Sequence, residues 1–297
     1  INTKRNKFIL SRPSGPNVRS LQFYATFDKY PQYAYDVSFI SHNFRLLKVL
    51  DLRSTNLGSS FQRILLSLVQ LKYLAVQGAF DLIPIPEGQF CDLETFIVKG
   101  FRGEIRIPVT LWNMASLRHL HIDDRASFYW PNGDEEHFEE FTQMDNLLSL
   151  STPVLDNAPS MENLLRRSAN LQKLSCILRE PWQFPSLNFL SQLESLKMFY
   201  YGGMFQTSSP FNFPTNLKKL TLSKFRRPWS EISTIGRLPN LEVLKLLFRA
   251  YEGEEWDVRD DEFEKLKFLK MDSLNISRWS ISANDPFPHL ERLLLQS

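Results

Sequence analysis

His119, His121 and Asp123 alternate along the chain, separated by Leu120 and Ile122. In an extended strand, residues two apart point to the same side, so the three polar groups would share one face. Two imidazoles and a carboxylate are a set that zinc accepts. The neighbouring sequence argues against that use. Lys99 would lie beside the carboxylate and compete with a cation, and the next matching stretch offers only Ser149, Ser151 and Pro153. H-x-H-x-D therefore reads as a polar binding surface, with no metal assigned. No Gly in the chain is followed by Lys, so there is no G-x-x-x-x-G-K-[ST] phosphate loop. No cysteines stand at zinc-ligand spacing, and no nucleophile is accompanied by a base and a third orienting group. No catalytic residue is assigned.

A second set of residues is charged rather than reactive. Lys173, Lys197, Lys219, Lys245, Lys270 and Arg292 recur every 22 to 26 residues. A recurrence of that length asks what repeating element carries them.

The element is visible at Asn216-Leu217-Lys218-Lys219-Leu220-Thr221-Leu222 and again at Asn240-Leu241-Glu242-Val243-Leu244-Lys245-Leu246. Each reads L-x-x-L-x-L, and its last apolar residues alternate with polar ones at strand period. A strand this short cannot bury its apolar side alone, but a copy one repeat later can lie beside it and cover it. The first apolar residue of the phrase falls at Val18, Leu47, Leu71, Leu93, Leu117, Leu147, Leu171, Leu193, Leu217, Leu241, Leu266 and Leu290, spaced 22 to 30 residues apart. Twelve copies over the whole chain are the signature of a leucine-rich-repeat solenoid. The expected fold is α/β: a horseshoe with a concave parallel sheet of about twelve short strands and a convex side of irregular turns and short helices. One domain is expected over residues 1–297, with residues 1–16 as a basic, polar entry segment. Convex packing is assigned to Phe61, Ile64, Leu65 and Leu68, to Leu111 and Met114, to Met161, Leu164 and Leu165, and to Ile232 and Ile235. The aromatic-rich return from Thr26 to Phe44 is read as filling the convex side or covering a domain junction.

The exposed positions nearest the strand centre lie second and fourth after the first apolar residue. In the first six repeats they are Ser20, Gln22, Val49, Asp51, Tyr73, Ala75, Thr95, Ile97, His119, His121, Ser149 and Ser151, with no Lys or Arg. In the last six, every strand contributes one of the six bases named above, and no acid occupies those rows. At ~4.8 Å between strands, within a Debye length of ~8 Å, these charges reinforce one another. We expect a basic strip, softened by Glu194 and Glu242 at the strand edges, facing an acidic protein partner. Nucleic acid ranks lower, because aromatics that could stack on bases are few in those rows, Phe268 being the clearest.

Two stretches interrupt the rhythm. After Ile122 the spacing widens, and Asp123 to Glu136 is acidic with Phe128, Tyr129 and Trp130 in sequence. It reads as a projecting loop in which Tyr129 and Trp130 either touch a partner or fold back on the solenoid edge. Glu252-Gly253-Glu254-Glu255-Trp256-Asp257, with Asp260, Asp261 and Glu262 behind it, reads as a solvated acidic loop.

The formal charge of +2 excludes no partner class. Cys91 and Cys176 fall three repeats apart, ~14 Å by strand spacing, beyond the ~7 Å Cα separation a disulfide allows. Without cysteine-paired caps the chain suits a reducing compartment; the sequon Asn275-Ile276-Ser277 is weak counter-evidence. No apolar run approaches the length of a membrane span. The chain lacks an initiator Met and stops within a repeat, so we expect a fragment of a longer protein.

Leu47-Lys48-Val49-Leu50-Asp51-Leu52, the stretch from Leu111-Trp112-Asn113-Met114 to His119-Leu120, Leu238-Pro239-Asn240-Leu241-Glu242-Val243-Leu244-Lys245-Leu246 and Tyr251-Glu252-Gly253-Glu254-Glu255-Trp256 resemble repeats of plant intracellular nucleotide-binding leucine-rich-repeat immune receptors. The coiled-coil class from nightshade plants is the most similar. The resemblance covers nearly the whole chain and implies disease resistance, with two roles for the repeats: holding the nucleotide-binding module inactive and sensing a pathogen effector. It implies a cytoplasmic location and a protein partner, either an effector or the receptor's own module. ATP or ADP would sit in that module and no cofactor in these repeats. The isolated domain is expected to be a monomer, with no small-molecule substrate. Alternatives are a helper receptor that does not bind an effector, and a substrate adaptor of a ubiquitin ligase.

Overall fold

The computed structural model describes residues 11–23, 36–57, 68–78, 90–100, 104–129, 143–155, 158–179, 186–202, 211–281 and 284–296. The chain packs as two compact units, Ile1–Pro153 and Val154–Ser297.

Each copy of the phrase becomes a strand that begins two residues after its first apolar residue. In the first unit these are β1 (Ser20–Gln22), β2 (Val49–Asn56), β3 (Tyr73–Gly78), β4 (Thr95–Gly100), β6 (His119–Tyr129) and β7 (Ser149–Leu155); β5 (Glu104–Pro108) lies between β4 and β6 in sequence. β1, β2, β3, β4, β6 and β7 pair in parallel in that order. In the second unit the phrase gives β8 (Lys173–Arg179), β9 (Ser195–Tyr201), β10 (Lys219–Ser223), β12 (Val243–Leu247), β15 (Phe268–Asp272) and β17 (Arg292–Gln296), again parallel and in order. Four shorter strands fill the returns: β11 (Arg227–Pro228) pairs with β13 (Tyr251–Glu252), and β14 (Glu255–Val258) with β16 (Arg278–Ile281). Both units are parallel solenoids of leucine-rich-repeat type.

The local physics repeats from turn to turn. The amide of the first Leu donates to the carbonyl three residues earlier, as in Leu93 to Phe90 (2.9 Å) and Leu266 to Phe263 (3.1 Å). This tight turn swings the chain into the strand. The next amide donates to the equivalent carbonyl one repeat back: Lys218 to Glu194, Glu242 to Lys218 and Lys267 to Glu242, each 2.9 Å. The Asn before the first Leu adds a rung. Its side-chain amide reaches a carbonyl of the preceding repeat, from Asn146 to Ala115 (2.8 Å), Asn216 to Ser191 (2.6 Å) and Asn240 to Thr215 (3.1 Å). Apolar positions of the phrase are buried from the copy at Leu47 to the copy at Leu266, as Leu117, Leu120 and Ile122 and as Leu217, Leu220 and Leu222 illustrate.

Short helices occupy several returns: Phe39–Asn43, Ala158–Arg166 and Ser233–Gly236, with 3-10 turns at Val109–Asn113 and Trp229–Glu231. They bury Leu111, Leu164, Leu165, Ile232 and Ile235, and Met114 is buried where the first 3-10 turn ends. Leu68 is also buried. Phe61, Ile64, Leu65 and the aromatics of residues 26–35 lie outside the described residues.

Two expectations need correction. Residues 123–129 do not project as a loop but fold back along the sheet, while residues 130–136 lie outside the described residues. β6 continues to Tyr129, and its far half pairs with β5, from Glu104 opposite Arg125 to Pro108 opposite Tyr129. A bulge follows His121, because the register with β7 jumps between His121 and Ala126. Burial of Ile105, Ile107 and Ala126 holds this extension, and Phe128 meets Trp112 edge-on at 4.9 Å. The acidic run at 252–257 is likewise not a solvated loop. Trp256 is fully buried in its middle and draws the segment into β14. The rings of Trp229, Trp256 and Trp279 stack at 5.0 and 5.1 Å with planes 12° and 11° apart. One tryptophan from each of three successive repeats thus forms a column.

Candidate functional site

The six bases all lie in the second unit, one on each strand of its sheet. Register divides them between two rows. One row runs Lys173, Ser195, Lys219, Val243, Phe268, Arg292; the other runs Ser175, Lys197, Thr221, Lys245, Lys270, Leu294. The bases therefore step between rows, from Lys173 to Lys197 to Lys219 to Lys245, before Lys270 follows Lys245 in the same row. Lys173, Lys197, Lys219 and Arg292 are exposed; Lys245 and Lys270 are half-buried. Stagger lengthens the distance between neighbouring charges and lowers their mutual repulsion, while all stay on one face.

The row just outside these two behaves differently. Glu194 binds Lys218 at 2.7 Å, Lys267 reaches Glu242 at 3.4 Å, and Glu242 also lies in the field of Lys218. Charge alternates there and cancels. The hydrogen bond from Lys218 holds the Glu194 carboxyl below the usual carboxylate range, and the charges of Lys218, Lys173 and Lys219 add to the effect.

Lys270 is the exception among the six. Its Nζ lies 2.9 Å from Asp272, on the same strand two residues on. Lys245 and Arg292 instead flank an aromatic ring. The Lys245 Nζ is 5.7 Å and the Arg292 Cζ 5.5 Å from the Phe268 ring centroid. A ring face attracts cations at these distances.

His119, His121 and Asp123 come out on one face of β6, but not as a ligand set. His119 Nδ1 pairs with Ser149 Oγ at 2.8 Å, and His121 Nδ1 pairs with Ser151 Oγ. His121 Nε2 meets Asp123 Oδ1 at 2.7 Å. Among the described residues no three His, Cys, Asp or Glu side chains gather as a metal would require. Ser151, His121 and Asp123 do make a serine–histidine–carboxylate chain; the sequence reading placed Ser151 beside His121 but did not link the three. The same His–Ser contact recurs at His119 and Ser149, so it follows from the register of β6 with β7. Both His121 and Asp123 are nearly half exposed, where water screens a charge relay. In the same unit Arg53 is bound through two nitrogens to Asp51, at 2.7 Å for the shortest contact, and also lies in the field of Tyr73 and Asp123. This face is polar and internally paired. Tyr129 closes β6, and Trp130 lies outside the described residues.

Sequence reasoning placed the bases and the edge acids Glu194 and Glu242, but missed Asp272, the ring of Phe268 between two cations, and the pairing of the outer row with Lys218 and Lys267. The acids of that row were readable one position before each strand, since Glu194, Lys218, Glu242 and Lys267 recur there.

No helix among the described residues is long and apolar enough to cross a membrane. No protein-family model matches the chain. It is 37% identical over 268 residues to the late blight resistance protein homolog R1B-16 of Solanum demissum, covering 88% of this chain and 20% of that protein. It is 34% identical over 284 residues to the late blight resistance protein R1-A of the same plant, covering 92% of this chain and 21% of that one. The chain thus spans about a fifth of the length of these relatives. Among solved structures, a leucine-rich-repeat protein of Leptospira interrogans aligns with a TM-score of 0.53 at 19% identity, over 81% of this chain and 58% of that one, a likeness of fold. The relatives and the repeats together assign the chain: it belongs to the leucine-rich-repeat domains of plant disease-resistance proteins of the nucleotide-binding leucine-rich-repeat class, the group that includes the late blight resistance proteins.

Proposed function

We propose that this chain serves its receptor as a binding and regulatory module, without catalysis, and that it takes an acidic protein surface on the staggered basic face of β8 to β17. The observation that carries this reading is the contrast between adjacent rows of one sheet. Glu194, Lys218, Glu242 and Lys267 alternate in sign, as suits a self-sufficient surface. One row further in, Lys173, Lys197, Lys219, Lys245 and Arg292 meet no acid within their two rows. One base on every strand with no acid in its rows gives the face a net positive field, and such a face suits a partner of opposite sign. Opposed charge of this kind steers association and selects partners more than it adds affinity.

The partner is a pathogen effector or an acidic face of the receptor's own nucleotide-binding module. In the second case the face holds that module inactive, and ATP or ADP is bound there rather than in the repeats. Both cases place the protein in the cytoplasm. Tyr129 and Trp130, with the polar surface around His119, His121 and Asp123, form a secondary contact area.

The test is Lys197→Glu with Lys245→Glu in the full receptor, with protein level and melting checked. Loss of effector-triggered cell death assigns the face to sensing. Cell death without effector assigns it to autoinhibition. Wild-type behaviour in both assays, with stable protein, overturns the reading and leaves the face merely solvated.

A further inference from the structure

The two rows of the basic face do not have one character along their length. On β8, β9 and β10 the residues between the bases are Ser175, Ser195 and Thr221, so that end is basic and polar throughout. On β12, β15 and β17 the corresponding residues are Val243, Phe268 and Leu294. Val243 and Phe268 are half-buried. Phe268 is held between Lys245 and Arg292, whose cations lie over its ring. Apolar groups only partly covered, in rows that elsewhere hold Ser and Thr, keep some apolar surface in water. They gain free energy only when something apolar covers them.

We propose, on the footing of the basic-face reading above, that this end is an anchor site for an acidic protein segment that also presents an apolar side chain. The carboxylates of the segment meet Lys245 and Arg292. Its apolar side chain lies over the part of Phe268 and Val243 that stays open. Charge complementarity names the occupant: an apolar partner without acids would leave both cations facing it unpaired, and desolvating unpaired charge is costly. A partner with acids alone would bind the polar end as well as this one and leave the patch uncovered. The patch therefore supplies what charge cannot, a fixed register of the segment along the strip.

The experiment measures binding of two fluorescent peptides to the purified chain by anisotropy at low salt. They have equal length and equal numbers of Glu; one carries Gly at its centre and the other Leu. The Leu peptide is expected to bind about tenfold more tightly. Phe268→Ser, with folding verified by circular dichroism, is expected to bring it down to the Gly peptide and leave the Gly peptide unchanged. Lys173→Glu with Lys197→Glu is expected to weaken both peptides equally. Equal binding of the two peptides by wild-type protein overturns the anchor while leaving the basic-face reading intact. Failure of both to bind overturns that reading and the anchor with it. A preference for Leu that survives Phe268→Ser also overturns the anchor, because the apolar contact then lies elsewhere.

Discussion

Lys270 Nζ lies 2.9 Å from Asp272 Oδ2, and this pair sets Lys270 apart from the five other bases of its face. The hydrogen bond from Lys270 holds the Asp272 carboxyl below the usual carboxylate range, helped by the Ser273 hydroxyl, which donates to it at 2.9 Å. A lowered carboxyl favours the folded state above its unfolded value of ~3.9 and loses that contribution as pH falls through its folded value. At neutral pH the carboxylate stays charged and cancels one base of the strip.

Asp272→Asn should therefore strengthen the face. It releases Lys270 toward a partner and removes a negative charge from its edge. Binding of a glutamate-rich peptide at low salt is expected to tighten by up to about fivefold, with the gain shrinking as salt is added. Unchanged or weaker binding would mean that Lys270 does not look onto the partner.

The column of Trp229, Trp256 and Trp279 predicts where the second unit is most vulnerable. Trp256 is fully buried, stacks on both neighbours and meets Phe263 and Phe287 edge-on at 5.8 and 6.0 Å. Trp256→Ala opens a large cavity inside that stack and should cost about 3–5 kcal/mol. Because each repeat is supported by its neighbours, amide exchange should accelerate first in β14 and β16. Protection unchanged in those strands would contradict the packing.

The fold was legible in the sequence because L-x-x-L-x-L fixes both the strand and its neighbour. Each first residue, from Val18 to Leu290, stands two before a strand, and Leu290 to Arg292 is as clear a case as Leu47 to Val49. The bases were legible for the same reason. What the phrase could not reveal is structure built by the returns. The wide gap after Ile122 announced extra residues, yet their pairing with β5 depends on Ile105 and Ile107, which belong to a different repeat. The acids at 252–257 suggested solvent, but one tryptophan among them decides the outcome, since burying its ring outweighs leaving short acidic side chains at the surface. Ser151 opposite His121 was legible too, because register carries it across from the next repeat; the contacts that join Ser151, His121 and Asp123 are set by side-chain geometry, which the phrase does not encode.

Tyr251 gives a prediction with a definite pH direction. Burial raises its phenol pKa above the ordinary value of ~10, with Arg227 opposing and Glu231 assisting. The hydroxyl is buried and has no hydrogen-bond partner in the structure. The folded chain thus keeps this proton after the unfolded chain has lost it. Stability is fully present below pH ~10 and declines above it, by as much as ~1.4 kcal/mol per pH unit. Tyr251→Phe removes the ionisation and an unsatisfied buried oxygen. The variant should melt no lower than wild type at pH 7 and lose less of its melting temperature between pH 10 and 11. A clear loss at pH 7 would show that the hydroxyl is satisfied in solution.

The two thiols should differ sharply. Cys176 is a strand residue of β8 at 0% exposure, and burial pushes its thiol up to about 12; Cys91 is exposed. Reactivity belongs to the thiolate. A rise of about three units from the reference lowers the thiolate fraction near pH 8 by roughly a thousandfold, and the surrounding core excludes the reagent as well. Native protein treated with a disulfide reagent at pH 8 should release one equivalent of chromophore promptly. Cys91→Ser should abolish that phase, and the second equivalent should appear only when denaturant opens the repeat. The slow phase would then report local opening of β8, which lies at the start of the basic face. Prompt reaction of Cys176 in native Cys91→Ser protein would mean that β8 is not packed as described, and the row beginning at Lys173 would lose its support.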